Sequence, residues 1–142
     1  MAGYSGTPLA KKLGLKDEIR IALLHVPSEV KTELRDALGI CRIQPFNRDT
    51  SKDLDFIWLF AKSRAGLDLE LLPAAKALAP AGMLWISWPK KSSGVATDLN
   101  ENMIRESGLD AGLVDVKVCA VTEVWSGLKF VIPVRNRPKR SM

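Results

Sequence analysis

The chain has 142 residues, a formal charge of +5, and 46% hydrophobic against 26% charged residues. That balance fits one globular domain able to bury a core without disulfides, and it excludes a largely disordered chain. No apolar run approaches the roughly 18 residues needed to cross a bilayer, and "MAGYSGTPLAKKLG" lacks the charged start and apolar centre of a secretory signal, so a cytoplasmic, membrane-free protein is expected.

Thr7 followed by Pro8 predicts a helix start, over "PLAKKL", closed by Gly14. "IRIALLHV", residues 19–26, is a strand-length run apolar on both faces after Arg20, the pattern of a strand covered on both sides. "PSEVKTELRDALG" predicts a helix with Ser28 as cap, Val30, Leu34, Ala37 and Leu38 on one face, and Gly39 as stop; "ICRIQPF" follows as a second strand. "FIWLFA", residues 56–61, is the third strand. "AGLDLELLPAAKALAPAG" carries the next helix, whose most secure part starts around Pro73 and stops before Pro80 and Gly82, and "MLWISW" is the fourth strand. Asp98 and Glu101 have capping-box spacing for a helix with Leu99, Met103 and Ile104 inward, ending near Gly108 or Gly112. Two final strands turn at Ser126–Gly127 as an antiparallel pair. Cys41 and Cys119 lie singly in apolar runs and read as small core residues. Trp58 and Trp85 read as core, and Trp88 and Trp125, at strand ends, as packing residues with ligand stacking as the alternative.

Strands alternating with helices imply a mostly parallel sheet with right-handed crossovers, made mixed by the closing hairpin. The order resembles a shortened Rossmann-like methyltransferase fold, with "LAPAGMLWISW" similar to its passage from helix into central strand and "ESGLDAGLVDVKVCAVTEVWSGLKFVI" similar to its last helix and reversed final strand. More specifically, "GYSGTPLAKKLGLK", "WPKKSSGVATDLNENMIRE" and "GLVDVKVCAVTEVWSGLKFVI" resemble the bacterial family called domain of unknown function 3052. The resemblance covers most of the chain and implies an α/β, three-layer, methyltransferase-like sheet with a C-terminal antiparallel hairpin. It implies no activity. The expected organisation is one Rossmann-like domain over residues 1–134 and a basic tail over 135–142, in which Arg135, Arg137, Lys139 and Arg140 meet no acid.

The residues argue against the cofactor chemistry of that fold. A nucleotide or methyl-donor site needs glycines directly after the first strand, and here the strand runs into "HVPSEV". An acid is needed after the second strand for ribose hydroxyls, where the chain has Gln44, Pro45, Phe46 and Asn47. No cofactor is therefore expected. His25 is the sole histidine, so a histidine-rich metal site is impossible; no GxSxG elbow is present, and "KKSSG" lacks P-loop spacing. His25 reads as a hydrogen-bonded packing residue, and neither catalytic nor metal-binding residues are assigned.

What remains is a junction rich in anion-binding chemistry. Lys90, Lys91, Ser92, Ser93, Gly94 and Thr97 leave the carboxyl end of the fourth strand, the edge where open α/β sheets bind ligands. The helix N-terminus near Asp98 adds a positive dipole end. Tyr4, Ser5 and Thr7, with Gly6, are expected to converge there from the leading helix. The reading is a non-catalytic binding module for an anionic small molecule or partner. The competing reading is a solvated loop in which Ser92 and Ser93 bond their own turn and Gly94 supplies a positive φ. Two functional alternatives stand beside it: a divergent S-adenosylmethionine-dependent methyltransferase, and a nucleic-acid-associated adaptor using the basic tail.

Overall fold

A computed structural model describes residues 8–137. The elements in chain order are α1 (Leu9–Leu13), β1 (Arg20–Leu24), α2 (Ser28–Glu33), α3 (Arg35–Gly39), β2 (Arg42–Ile43), β3 (Leu54–Phe60), α4 (Arg64–Lys76), β4 (Leu78–Pro89), α5 (Glu101–Asp110), β5 (Val114–Ala120) and β6 (Trp125–Val131). The six strands form one sheet in the order β2-β1-β3-β4-β6-β5. β1 to β4 run parallel, and β6 is antiparallel to both neighbours. The fold is the mixed, mostly parallel α/β architecture expected from the sequence.

Side chains alternate across the sheet, so the apolar strands fill two cores. Ala22, Leu24, Ile57, Leu59, Leu84, Ile86, Leu128 and Phe130 pack beneath α4 and α5. Ile21, Phe56, Trp58, Phe60 and Trp85 pack beneath α1, α2 and α3. Both central indoles are fully buried and have a partner for the N–H: Trp58 Nε1 donates to Ser87 Oγ at 2.9 Å and Trp85 Nε1 to the Leu13 carbonyl at 2.8 Å. Trp88 and Trp125 are also buried. They pack rather than present a stacking surface. Cys119 is buried and Cys41 half-buried, and burial raises both thiols above their ordinary range.

Several boundaries differ from the sequence expectation. Helix α1 starts at Leu9 with Pro8 at the cap position and ends on left-handed Gly14; Thr7 lies outside the described residues. The helix over residues 27–39 is two pieces that meet at Leu34, and Ser28 is its first residue rather than its cap, although Val30, Leu34 and Leu38 are buried as the spacing requires. The second strand shrinks to Arg42–Ile43, both exposed at the sheet edge.

Helix α4 begins at Arg64, so Pro73 sits inside it. Proline removes the bond to the carbonyl of Leu69, which lies on the exposed side, where water can satisfy it. Strand β4 begins at Leu78 and passes through Pro80 and Gly82 at a register irregularity against β3. A Cβ at Gly82 would stand 2.6 Å from the Leu54 carbonyl, so glycine is needed for this approach.

The terminal hairpin turns at residues 121–124, where Thr122 Oγ1 accepts from the amides of Val124 and Trp125. Ser126 and Gly127 are inside β6. The glycine there makes room for the Trp85 ring, since a Cβ would stand 3.2 Å from its Cε3.

Candidate functional site

The chain leaves β1 toward β2 on one side and returns to β3 on the other, so the strand order reverses between the carboxyl ends of β1 and β3. That reversal opens the crevice in which open α/β sheets seat ligands. Its rim is built from His25 after β1, Lys62 and Ser63 after β3, and residues 90–98 after β4.

The segment after β4 is a strap pinned at both ends. Lys90 N–H donates to the Val124 carbonyl at 2.7 Å, followed by a 3-10 turn over Lys91–Ser93 and a left-handed Gly94. Ser93 Oγ donates to the Lys90 carbonyl at 2.6 Å and accepts from Val95 N–H. At the other end Thr97 Oγ1 donates to the Lys62 carbonyl at 2.6 Å and accepts from Leu99 N–H. Ser93, Gly94 and Thr97 thus shape the strap, whereas Lys91 and Ser92 are exposed and Lys90 is half-buried. Tyr4, Ser5, Gly6 and Thr7 lie outside the described residues.

Asp98 corrects the capping-box expectation. The cap of α5 is Asn100, whose side chain accepts from Met103 N–H at 2.9 Å, while Asp98 Oδ1 accepts from Arg64 N–H at 2.8 Å. Ser63 Oγ takes the Gly66 amide of the same helix. The α4 N-terminus is therefore closed by the protein's own carboxylate and hydroxyl, and a ligand anion is not favoured there. Asp98→Ala should cost about 1 kcal/mol by loss of this cap, with Asp98→Asn recovering much of it; equal urea midpoints for wild type and Asp98→Ala would show that the bond contributes nothing.

His25 adopts φ 61°, in the left-handed region, and its Nε2 lies 3.4 Å from Glu70 Oε2. This tertiary pairing with α4 joins residues too far apart along the chain to leave a local sequence signal. The imidazole is 67% exposed, which makes the pair a solvated contact of small energy. After β2, Asn47 accepts from the amides of Asp49 and Thr50, and Phe46 packs against the core.

The fold implies S-adenosylmethionine, and these residues do not fit it. A side chain stands at the positive-φ turn after β1 where close backbone approach calls for glycine. Buried Val26 and Pro27, which has no N–H, follow it, and the end of β2 carries no acid. Sequence reasoning missed Lys62 as a rim residue, although its position directly after "FIWLFA" places it on the same edge as Lys90.

A family model described as a protein of unknown function matches residues 10–134. The chain belongs to the DUF3052 family. No curated protein matches this DUF3052 chain, and its fold likenesses are distant. A TehB-like SAM-dependent methyltransferase from Corynebacterium glutamicum is 12% identical with a TM-score of 0.56, covering 93% of this chain and 91% of that one. A SAM-dependent methyltransferase from Aquifex aeolicus is 14% identical at TM-score 0.60, covering 86% and 87%. The magnesium protoporphyrin IX methyltransferase of Synechocystis, solved with SAH, is 11% identical at TM-score 0.57, covering 88% and 78%. These establish a methyltransferase-like fold for the DUF3052 chain. Among its described residues no helix is long and apolar enough to span a membrane, and no cluster of side chains is arranged to hold a metal ion.

Proposed function

We propose that this DUF3052 protein binds a small anion, a phosphate- or carboxylate-bearing molecule, at the carboxyl edge of its sheet without catalysing a reaction on it. The observation that carries the reading is the strap: fixed at Val124 and at Lys62, it presents Lys90 and Lys91 on the rim, with Lys62 at its far anchor. None of the three lysines makes an ion pair among the described residues. Ser92 is the hydroxyl left to orient the ligand, since Ser93 and Thr97 hold the strap together. Three ammonium groups on a fixed frame supply point charges for an anion, without the forked geometry of arginine.

The experiment is a thermal-shift series with inorganic phosphate, common nucleotides, S-adenosylmethionine and S-adenosylhomocysteine. A ligand at a hundred times its dissociation constant adds about 2.7 kcal/mol to the native state, a shift of several degrees. Phosphate-bearing compounds should stabilise the wild type, and Lys90→Glu with Lys91→Glu should abolish the shift while leaving the ligand-free melting temperature nearly unchanged. An unaltered shift in that variant, or in Lys91→Glu alone, removes the strap from consideration. The second reading, a divergent methyltransferase, is favoured by the fold likeness; it requires S-adenosylmethionine to bind beside His25, and stabilisation by that cofactor would replace the first reading with this one.

A further inference from the structure

The ion pairs of the described residues follow a pattern. Every one uses Arg20, Arg42, Arg64, Arg105 or His25, and none uses a lysine. The paired acids are thereby matched to arginines or to His25, as where Arg105 joins Glu101 at 2.7 Å and Asp115 at 2.9 Å and ties α5 to β5. The lysines collect elsewhere.

Strand register sets Lys117 of β5 directly opposite Lys129 of β6, on the face away from α5. Lys117 Nζ donates to the Lys12 carbonyl at 3.2 Å, which brings the last turn of α1, with Lys11 and Lys12, against the hairpin. The Trp85–Leu13 bond fixes that turn to the sheet. Burial, and then the charges of Lys117 and Lys16, lower the Lys129 ammonium below the usual lysine range. Lys12, Lys117 and Lys90 all act on the Cys119 thiol, though burial dominates and raises it. Like charges directly opposite in a sheet are destabilising, so a counter-charge supplied from outside would relieve a strain built into the fold.

We propose that this column, Lys12 at the end of α1, Lys16 in the segment after it, and Lys117 and Lys129 on the β5–β6 hairpin, docks the phosphate backbone of a nucleic-acid duplex without reading its bases. Charge complementarity selects the occupant. A duplex offers about one negative charge per 1.7 Å of axis, dense enough to meet lysines held on adjacent strands. Trp85 and Trp125, the indoles of this flank, are buried, so it offers single-stranded bases no stacking platform. Helix α1 is five residues long with Leu13 buried, which leaves no apolar helix face of the kind that seats a protein on lipid. A second copy would set lysines against lysines, and the irregularity between Asp115 and Lys117 interrupts β5 as a template for strand addition. The inference is independent of the small-anion reading, because it uses none of Lys62, Lys90 and Lys91.

The test is fluorescence anisotropy of a labelled DNA duplex of about two helical turns, titrated with the full chain at several salt concentrations. Wild type should bind at low salt and lose affinity steeply between about 50 and 200 mM. Lys16→Gln with Lys117→Gln, both at exposed positions, should flatten the slope of log K against log salt by about 1.8, or about 0.9 for each phosphate contact removed. If that variant does not fold, Lys12→Gln with Lys16→Gln, confined to the end of α1 and the residues after it, tests the same column. No binding at low salt overturns the proposal. So does a slope that these substitutions leave unchanged but Arg135→Gln with Arg137→Gln reduces, which would assign binding to the tail, and so does equal competition by polyglutamate, which would assign the face to acidic protein.

Discussion

Trp85→Ala should destabilise the protein by about 3–5 kcal/mol, the range for deleting a large aromatic from a packed core. The side chain is fully buried among Leu13, Phe56, Trp58 and Trp125, and its N–H is the bond that holds the end of α1 on the sheet. The loss has two parts: a cavity in the centre of β4, and a buried Leu13 carbonyl without its donor. Since small domains are stable by only about 5–15 kcal/mol, the variant should lose much of its cooperative urea transition. Proteolysis should then cut first near α1. Trp85→Phe separates the parts by keeping most of the ring and removing the donor; it should cost about 1–2 kcal/mol, the scale of an unsatisfied buried polar group. If Trp85→Ala unfolds within 1 kcal/mol of wild type, the α1 side of the core is not packed as described.

Gly108→Ala is the second large effect, and here two forces oppose each other. Alanine is the better helix former by about 1 kcal/mol. Yet a Cβ at residue 108 would land on the Phe130 ring, and Phe130 is fully buried in β6 with no room to swing away. Helix α5 lies on the sheet through Ser107 and Gly108, both buried small residues, and a methyl group there must push helix from sheet. Overpacking of this kind costs about 1–3 kcal/mol and occasionally more, so the net change should be destabilising by up to about 2 kcal/mol in urea unfolding. Shortening the opposing side chain tests the cause. Gly108→Ala combined with Phe130→Leu should be less destabilised than the sum of the two single changes. Strict additivity would place the cost elsewhere in α5.

The same contacts show which parts of this protein are legible along the chain. "IRIALLHV", "FIWLFA" and "MLWISW" identify themselves as strands covered on both faces because an unbroken apolar run has no other way to leave water. Their alternation with helices fixes the parallel part of the sheet, and the location of the Lys90–Thr97 junction at its carboxyl edge follows from connectivity. Misreadings fall where local chemistry allows two answers. Asp98 has the spacing to cap its own helix, yet Asn100 is nearer, and the Asp98 carboxylate finds the Arg64 amide 34 residues away. Pro73 reads as the start of the most secure part of its helix because its first-turn role is local, while its tolerance inside α4 depends on an exposed neighbour one turn back. Ser126–Gly127 reads as a turn, and only the tertiary neighbours, the Val121 side chain and the Trp85 ring, explain a glycine in a strand. The His25–Glu70 pair and the lysine column are invisible in sequence for a related reason. Each joins residues distant along the chain, Lys12 to Lys117 by 105 positions, and is created only when strand register and helix docking bring them together. Hydrophobic periodicity and turn chemistry are short-range and can be read residue by residue, whereas the placement of charge across strands and between helices is decided by packing, which the order of residues encodes only through the whole fold.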